Sequence, residues 1–215
     1  GQIADIGGAY VALSGILAAL FRRECEGVGG FVDTSLAESA LLFSLFNWVD
    51  AISRGSAPGQ GELTGGLACY RVYTASDGEP VALAPLEPKF WANFCHTVNR
   101  TDWIEGYTEP DRQAGLIAQL TELFATKSAT EWDALLGKAD CCFTRVTRPV
   151  NLAEDPHFSA RGMLGTFDDS TAWMRSPVRI HDSEPHIENT APGYGTHTRE
   201  VFLEAGFDAG AIDDL

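Results

Sequence analysis

The sequence predicts a protein of mixed helices and strands, in which an apolar helical segment precedes a small α+β unit and an irregular C-terminal tail. Three patterns predict this order: apolar residues dominate positions 9–53, an alternating pattern around an Asp-Gly turn follows over 67–84, and helical patterns follow over 88–138. With 45% hydrophobic residues in 215, the chain can bury a sizeable core. Composition therefore excludes intrinsic disorder, a collagen-like chain and a coiled coil.

The first helix is predicted to begin after Asp5 and the Gly7-Gly8 pair and to end near Glu24, where a glycine-rich stretch follows. Its apolar run over 9–21 is shorter than the roughly 18 residues that cross a bilayer. Because the helix is apolar on nearly every side, we expect it to be buried and to pack on both faces.

The second helix is predicted to run from a Thr34 or Ser35 cap to about Ser53. A brief strand is expected over 31–33, before that cap. The glycine-rich stretch 54–66 that follows the helix is typical of a linker.

The small α+β unit is predicted to open with a hairpin of two strands, 67–73 and 80–84, joined at Asp77-Gly78. Ser128, with Glu131 three residues later, is expected to cap the last of its helices. Three helices are predicted: 88–98, 111–126 and 129–138. After Cys141 we expect irregular chain rich in proline, with one short helix over 198–205.

The charge balance is strongly acidic, with 15 Lys and Arg against 30 Asp and Glu and a net charge of −15. Such a surface repels phosphate backbones and anionic lipids, so nucleic-acid and membrane partners are not expected. The sequence shows no signal peptide and no C-x-x-C pair, and its five cysteines are interpreted as reduced, buried thiols of a cytoplasmic protein.

No metal site is predicted, because the histidines are scattered and none has the spacing of a ligand pair on a helix. They are His96, His157, His181, His186 and His197. Phosphate-binding loops, the zinc-protease motif and the hydrolase nucleophile elbow are also absent from the sequence.

Two carboxylates are candidates for catalysis. Asp5 precedes a Gly-Gly pair at a helix start, where the helix dipole and backbone N–H groups would stabilise an oxyanion. Its alternative role is that of an ordinary N-cap. Glu87 lies between two prolines at the junction of a strand and a helix, which would present it at a cleft. Its alternative role is that of a first-turn Glu that stabilises the helix.

These two sites, their order and their separation resemble the class III CoA-transferase family (CaiB/BaiF type). The resemblance extends over nearly the whole chain and rests on segments that occur in the family's order. These segments are 4–8, 15–20, 30–36, 63–67, 70–73, 77–78, 86–90, 154–157, 160–163 and 195–198.

The resemblance implies an α/β fold of a large Rossmann-like domain and a small α+β domain, with two protomers interlocked as a dimer and acyl-CoA bound between the domains. On this basis the chain would hold four parts. They are a piece of the large domain (1–35), a helical linker (36–62), the small domain (63–165) and a segment that returns to the large domain (166–215).

The resemblance also implies the roles of individual residues. Asp5 matches the catalytic aspartate, and Gly7 and Gly8 beside it are expected to bind substrate. Glu87 matches the acidic residue that supports a catalytic histidine in the α-methylacyl-CoA racemase branch, and Tyr70 matches an aromatic residue of the acyl region. No cofactor is implied, because coenzyme A is part of the substrate.

The loop 63–69 has two glycines and no Gln, which is closer to the racemase branch than to formyl- and oxalate-type transferases. We therefore expect α-proton transfer on a 2-methylacyl-CoA. A CoA-transferase that forms an aspartyl-acyl anhydride is the first alternative, and an inactive fragment or interaction module is the second.

One departure from the family concerns length. Family members are nearly twice as long, and the part without a counterpart here holds the CoA-binding arginines and the racemase histidine. We therefore expect this chain to be the C-terminal part of a larger enzyme, to need a missing or separate N-terminal segment, and alone neither to bind CoA tightly nor to turn over.

Overall fold

The computed structural model describes residues 2–55, 57, 61–167, 170–182 and 191–213. Its first element is helix α1 (Ile3–Glu26). The chain divides into two compact units, 1–146 and 147–215. The first unit contains α1, two further apolar helices and the small α+β unit predicted from the sequence.

The start of α1 differs from the prediction, because the helix includes Asp5 and the Gly7-Gly8 pair instead of beginning after them. A Cβ on Gly7 would lie 2.6 Å from a ring carbon of Phe43, and a Cβ on Gly8 would lie 2.4 Å from a methyl carbon of Leu36. The two glycines therefore let α1 approach the next helix closely, which offsets the weak helix propensity of glycine.

The prediction that α1 is buried on both faces is wrong for this chain, since Gly7 and Gly8 are its buried residues. Most of the large apolar side chains along it, from Ile3 to Phe21, are between 41% and 72% exposed. The helix is also longer than the apolar run in the sequence, and by length and composition alone it could cross a membrane. Core helices of soluble proteins pass the same test.

The second predicted helix is two helices, α2 (Leu36–Phe43) and α3 (Leu45–Arg54). Ser35 caps α2 as predicted, accepting a hydrogen bond from the Glu38 N–H at 3.1 Å. Ser44 separates the helices: its hydroxyl donates to the Ala40 carbonyl at 3.2 Å, a side-chain bond that bends helices. The expected strand over 31–33 is coil.

The predicted hairpin is confirmed, with shorter strands. Strand β1 (Arg71–Thr74) pairs antiparallel with β2 (Pro80–Leu83), and Arg71 lies opposite Leu83. Residues 67–70 form turns instead of extending β1. A third strand, β3 (Phe143–Arg145), pairs with β2 in a segment that was expected to be irregular.

The main core lies between this sheet and three helices, α4 (Pro88–Thr97), α5 (Gln113–Phe124) and α6 (Ala129–Leu136). All three agree with the predicted helices to within a few residues. The capping box of Ser128 and Glu131 is present at α6. The bulkiest fully buried side chains are Trp91, Trp103, Trp132, Phe94 and Phe124.

The second unit is richer in regular structure than predicted. Asp155 is the N-cap residue of helix α7 (Pro156–Ala160), and its carboxylate accepts a hydrogen bond from the His157 N–H at 2.9 Å. A two-stranded antiparallel sheet follows, formed by β4 (Leu164–Thr166) and β5 (Ala172–Met174). The expected C-terminal helix is present as α8 (Thr198–Glu204), and the short helix α9 (Ala209–Asp213) comes after it.

A pair of glycine substitutions tests the close packing of α1. Gly115→Ala in α5 is expected to stabilise the fold by about 0.5 kcal/mol, because a Cβ there meets nothing within 4 Å. Gly7→Ala has the same gain in helix propensity but must displace the Phe43 ring, so we expect no gain or a loss. Urea unfolding curves measure both, and equal stabilisation by the two variants would contradict the packing role of Gly7.

Candidate active site

Asp5 lies in the first turn of α1, and its side chain is exposed. It makes no hydrogen bond or ion pair with any residue that the structure describes. The N-cap residue, Gln2, gives no side-chain cap, and its carbonyl accepts from the Ile6 N–H at 3.0 Å. The N–H groups of Ile3, Ala4 and Asp5 therefore point out of the helix start without an intrahelical acceptor.

The arrangement at this helix start differs from the expected one in its donors. Gly7 and Gly8 lie inside α1, so helical geometry directs their N–H groups to the carbonyls of the preceding turn. An oxyanion beside Asp5 would therefore meet the first-turn N–H groups and the positive end of the helix dipole. Substrate binding by the two glycines themselves stays a prediction.

An apolar cavity of about 420 Å³ adjoins the start of α1. Its lining comes from α1 and α2 and includes Ile3, Ile6, Tyr10 and Phe43. A carboxylate and free N–H donors at one helix end thus lie next to apolar surface.

Glu87 is the N-cap residue of α4, with Pro88 in the first helical position. The sequence had suggested instead that Glu87 lies within the first turn of the helix. Its side chain is exposed and does not cap the helix, whereas its carbonyl accepts from the Trp91 N–H at 3.1 Å. The carboxylate is therefore available for other contacts.

Two long-range hydrogen bonds hold the loop that presents Glu87. The Tyr107 hydroxyl donates to the Leu86 carbonyl at 2.7 Å, and the Ala84 N–H donates to the Cys142 carbonyl at 3.0 Å. Nearby, Lys89 forms a 3.0 Å ion pair with Asp140. Sequence reasoning missed Tyr107, Asp140 and Cys142 as neighbours of this loop, because residues 20 and more positions away share no local pattern with Glu87.

The thiol of Cys142 lies within the electrostatic reach of Glu87. Partial burial raises the pKa of this thiol, the negative charges of Glu87 and Asp140 raise it further, and Lys89 lowers it. Cys142 also has a positive φ of 49°, in the left-handed region. Glu87, Cys142 and the Lys89–Asp140 pair therefore form one charged cluster at the start of α4.

Tyr70 lines a cavity of about 460 Å³ that lies over β1 and β2. Ala84 lines the same cavity, three residues before Glu87, and the loop from Leu63 to Gly65 borders it. A larger cavity of about 830 Å³ shares Gly65 and Arg71 with it in its lining. The structure thus brings Tyr70 near the Glu87 loop, whereas neither cavity includes Asp5.

Within the described residues, no group of three or more His, Cys, Asp and Glu side chains could hold a metal ion. His186 lies outside those residues. All five cysteines are free, but the expectation that all are buried is wrong, because Cys25 and Cys142 are exposed. Burial raises the pKa of the Cys69 thiol to about 11 and that of the Cys95 thiol to about 12.

Alkylation of Cys142 tests the proximity of Glu87. Glu87→Gln removes a negative charge that raises the thiol pKa, so the thiolate fraction at pH 8 rises and iodoacetamide reacts faster at Cys142. Peptide mass spectrometry measures the rate at each cysteine. Glu122→Gln, an exposed substitution on α5, is the matched control and should leave the rate unchanged. An unchanged Cys142 rate in Glu87→Gln would contradict the proximity.

Comparison with known proteins shows which family and which proteins this chain is similar to. Residues 1–198 match CoA-transferase family III. The chain is 28% identical over 213 residues to human alpha-methylacyl-CoA racemase, covering 97% of this chain and 56% of that protein. It is also 28% identical to a succinyl-CoA:mesaconate CoA-transferase from Haloarcula marismortui, covering 97% of this chain and 54% of that protein.

Solved structures show the same fold. Protein Rv3272 of Mycobacterium tuberculosis superposes with a TM-score of 0.73 at 22% identity, covering 92% of this chain and 54% of that one. A CaiB/BaiF family protein from Brucella suis gives a TM-score of 0.70 at 20% identity, covering 94% and 55%.

The chain thus spans about half the length of the curated relatives that it matches. Its relatives include both racemases and CoA-transferases, so the similarity alone does not select one activity. The match to that family over residues 1–198 of 215 shows that this chain belongs to CoA-transferase family III.

Proposed function

We propose that this chain supplies one half of the catalytic machinery of an acyl-CoA enzyme that moves the α-proton of a 2-methylacyl-CoA. One observation supports it most directly: Asp5 is an exposed carboxylate in the uncapped first turn of α1. Such a carboxylate can accept a proton while the adjacent N–H groups stabilise the oxygen that becomes negative. The similarity to alpha-methylacyl-CoA racemases supports the same activity.

The reaction needs two groups on opposite faces of the α-carbon. Asp5 takes the α-proton on one face, the thioester oxygen carries the enolate charge, and an acid on the other face returns a proton. Proton transfer by positioned groups typically supplies about 10²–10⁴-fold in rate. By analogy with the α-methylacyl-CoA racemase branch, the second group is a histidine of the N-terminal half. Glu87 acts as a positioning residue for that histidine.

A second candidate function uses the same carboxylate as a nucleophile. An Asp5 oxygen attacks the thioester carbon, the carbon–sulfur bond breaks, and CoA leaves as the thiolate. The CoA thiolate then attacks the aspartyl carbonyl of the anhydride, which releases the donor acid and leaves an aspartyl-CoA thioester. An acceptor carboxylate displaces CoA from that thioester to form a second anhydride, and the thiolate attacks the acceptor's acyl carbon, which forms the new acyl-CoA and frees the Asp5 carboxylate. The exposure of Asp5 and the similarity to a CoA-transferase support this reading.

The proposal includes a further protein partner. Helices α1, α2 and α3 expose large apolar residues on a scale that is rare on a monomer, and relatives are nearly twice as long. We propose that an N-terminal segment and a second protomer cover these helices. The assembled enzyme is the chain together with that segment. It is proposed to act in the cytoplasm without a metal or a bound organic cofactor.

Incubating the assembled enzyme with a 2-methylacyl-CoA in deuterated water tests the proposal. A racemase exchanges the α-hydrogen for deuterium and scrambles the stereocentre. A transferase instead forms an anhydride, which hydroxylamine traps as a mass shift on the peptide that contains Asp5. If neither exchange nor trapping occurs, the chain is an inactive fragment or an interaction module. The coding sequence upstream of Gly1 shows independently whether an N-terminal half with its histidine exists.

A further inference from the structure

Tyr107 touches the surroundings of Glu87 at two points. Its hydroxyl donates to the Leu86 carbonyl at 2.7 Å, and its ring stacks on Trp91 of α4 with the ring centroids 5.3 Å apart. Its own carbonyl accepts from Nε2 of Gln113 at 2.9 Å. The Trp91 and Gln113 contacts hold the ring and the backbone of Tyr107 in place, so its hydroxyl is presented to Leu86 without help from Glu87.

The hydrogen bond to Leu86 restrains one backbone dihedral angle of Glu87. The Leu86 carbonyl and the Glu87 N–H belong to one planar peptide unit, so holding that carbonyl holds φ of Glu87, which is −79°. Pro88 restrains the other angle, because a residue before proline is confined to extended values of ψ, and ψ of Glu87 is 140°. With both angles restrained, the direction in which the Glu87 side chain leaves the backbone is set.

The strand side of the same loop is anchored independently of Tyr107. The Ala84 N–H donates to the Cys142 carbonyl at 3.0 Å, and the side chain of Pro85 is fully buried. The peptide unit between Leu86 and Glu87 lies between this anchor and α4, and the Tyr107 hydroxyl is bonded to it. The Tyr107 bond therefore restrains the part of the loop that turns Glu87.

The Tyr107 hydroxyl remains a donor at neutral pH. Burial raises its pKa above the ordinary value of a tyrosine, and the neighbouring Cys69 and Glu87 raise that pKa further. The bond to the Leu86 carbonyl therefore does not depend on the protonation of Tyr107 near neutrality.

We propose that Tyr107 is a positioning residue that directs the Glu87 carboxylate toward the second proton-transfer group. The inference rests on the proposed function, in which Glu87 positions a histidine of the N-terminal half. In this role Tyr107 contacts neither the substrate nor the reacting atoms. It acts only through the backbone of Glu87.

A double-mutant cycle in the assembled enzyme tests this role, with α-hydrogen exchange of a 2-methylacyl-CoA in deuterated water as the measurement. Tyr107→Phe removes the hydroxyl and keeps the ring on Trp91. We expect it to lower kcat for exchange about 10-fold with KM unchanged, because a misdirected carboxylate orients the histidine poorly. In a Glu87→Ala background the same substitution should change kcat by less than about twofold, since the carboxylate that it directs is gone.

The stereochemistry of exchange is a readout that a loss of stability would not move. Asp5 and the histidine act on opposite faces of the α-carbon, so a defect in the histidine alone slows exchange of one enantiomer more than that of the other. Tyr107→Phe should slow the same enantiomer as Glu87→Ala. An unchanged rate in Tyr107→Phe, equal slowing of both enantiomers, or additive effects of the two substitutions would overturn the inference and leave the proposed function in place.

Tyr73→Phe is the matched control. The Tyr73 hydroxyl also donates to a backbone carbonyl, that of Ala68, at 2.7 Å, and its ring also stacks on an aromatic ring of the core. Thermal unfolding should show a loss of stability in both tyrosine variants, whereas exchange should slow only in Tyr107→Phe. Comparable slowing by Tyr73→Phe would assign the effect to stability and overturn the inference.

Two further outcomes concern the proposed function itself. If Glu87→Ala exchanges the α-hydrogen as fast as the unmodified enzyme, the positioning roles of Glu87 and Tyr107 both fail, while proton transfer by Asp5 stands. If the unmodified assembled enzyme does not exchange the α-hydrogen, the proposed proton transfer and this inference fail together.

Discussion

Asp5→Asn is expected to lower kcat of the assembled enzyme by about 10³-fold, within the range that a positioned proton-transfer group supplies. The amide keeps the size of the side chain but neither accepts the α-proton nor attacks a thioester. Both candidate reactions therefore fail in this variant. KM should change little, because Asp5 acts on the reacting atoms and the rest of the acyl-CoA keeps its contacts.

The structure supplies a control for the change in charge. Asp33 is another exposed aspartate, in the coil that follows α1. Asp33→Asn changes the net charge equally and should retain full activity. Asp5→Asn also removes a favourable charge from the first turn of α1, which costs about 0.3–1 kcal/mol. Thermal unfolding measures that cost separately, and a kcat within about tenfold of the unmodified enzyme would remove Asp5 from the chemistry.

Much of the fold could be predicted from interactions between residues that are close together in the sequence. The Asp77-Gly78 turn, the Ser35 cap and the Ser128–Glu131 capping box each depend on residues within four positions, and the structure contains all three. The start of α1 was not predictable in this way. Glycines at positions 7 and 8 suggested a helix boundary, whereas tertiary packing against Phe43 and Leu36 keeps them inside the helix.

Contacts between residues far apart in the sequence account for the neighbours of the site residues that could not be predicted. Strand β3 is three residues long and pairs with β2 residues that lie 60 to 64 positions earlier, so no local periodicity predicts it. That pairing places Cys142 beside the loop before Glu87. Asp5 and Glu87 were identified from their local sequence and then from the resemblance to the family, whereas their long-range neighbours became visible only in the structure.

Phe124→Ala is expected to destabilise the first unit by about 3–5 kcal/mol, a large share of the roughly 5–15 kcal/mol that holds a typical domain together. The side chain is 0% exposed. Its ring stacks on Tyr73 at 5.0 Å and meets Trp132 edge-on at 5.1 Å, and it also lies 6.2 Å from Phe94 and Phe143. Removing the ring opens a cavity between the three-stranded sheet and the helices that pack on it.

Urea unfolding followed by tryptophan fluorescence measures this loss, since three buried tryptophans report on the same core. Leu135→Ala is the control, because Leu135 lies on α6 with 41% of its surface exposed and should cost about 1 kcal/mol or less. The two variants separate burial from the mere removal of an apolar group. A loss below about 1.5 kcal/mol for Phe124→Ala would mean that sheet and helices collapse to fill the cavity, as the spread of such substitutions allows. Tyr73, Phe94 and Phe143 approach the ring from three different elements, so such a collapse would have to shift several elements together, and we expect the full cost.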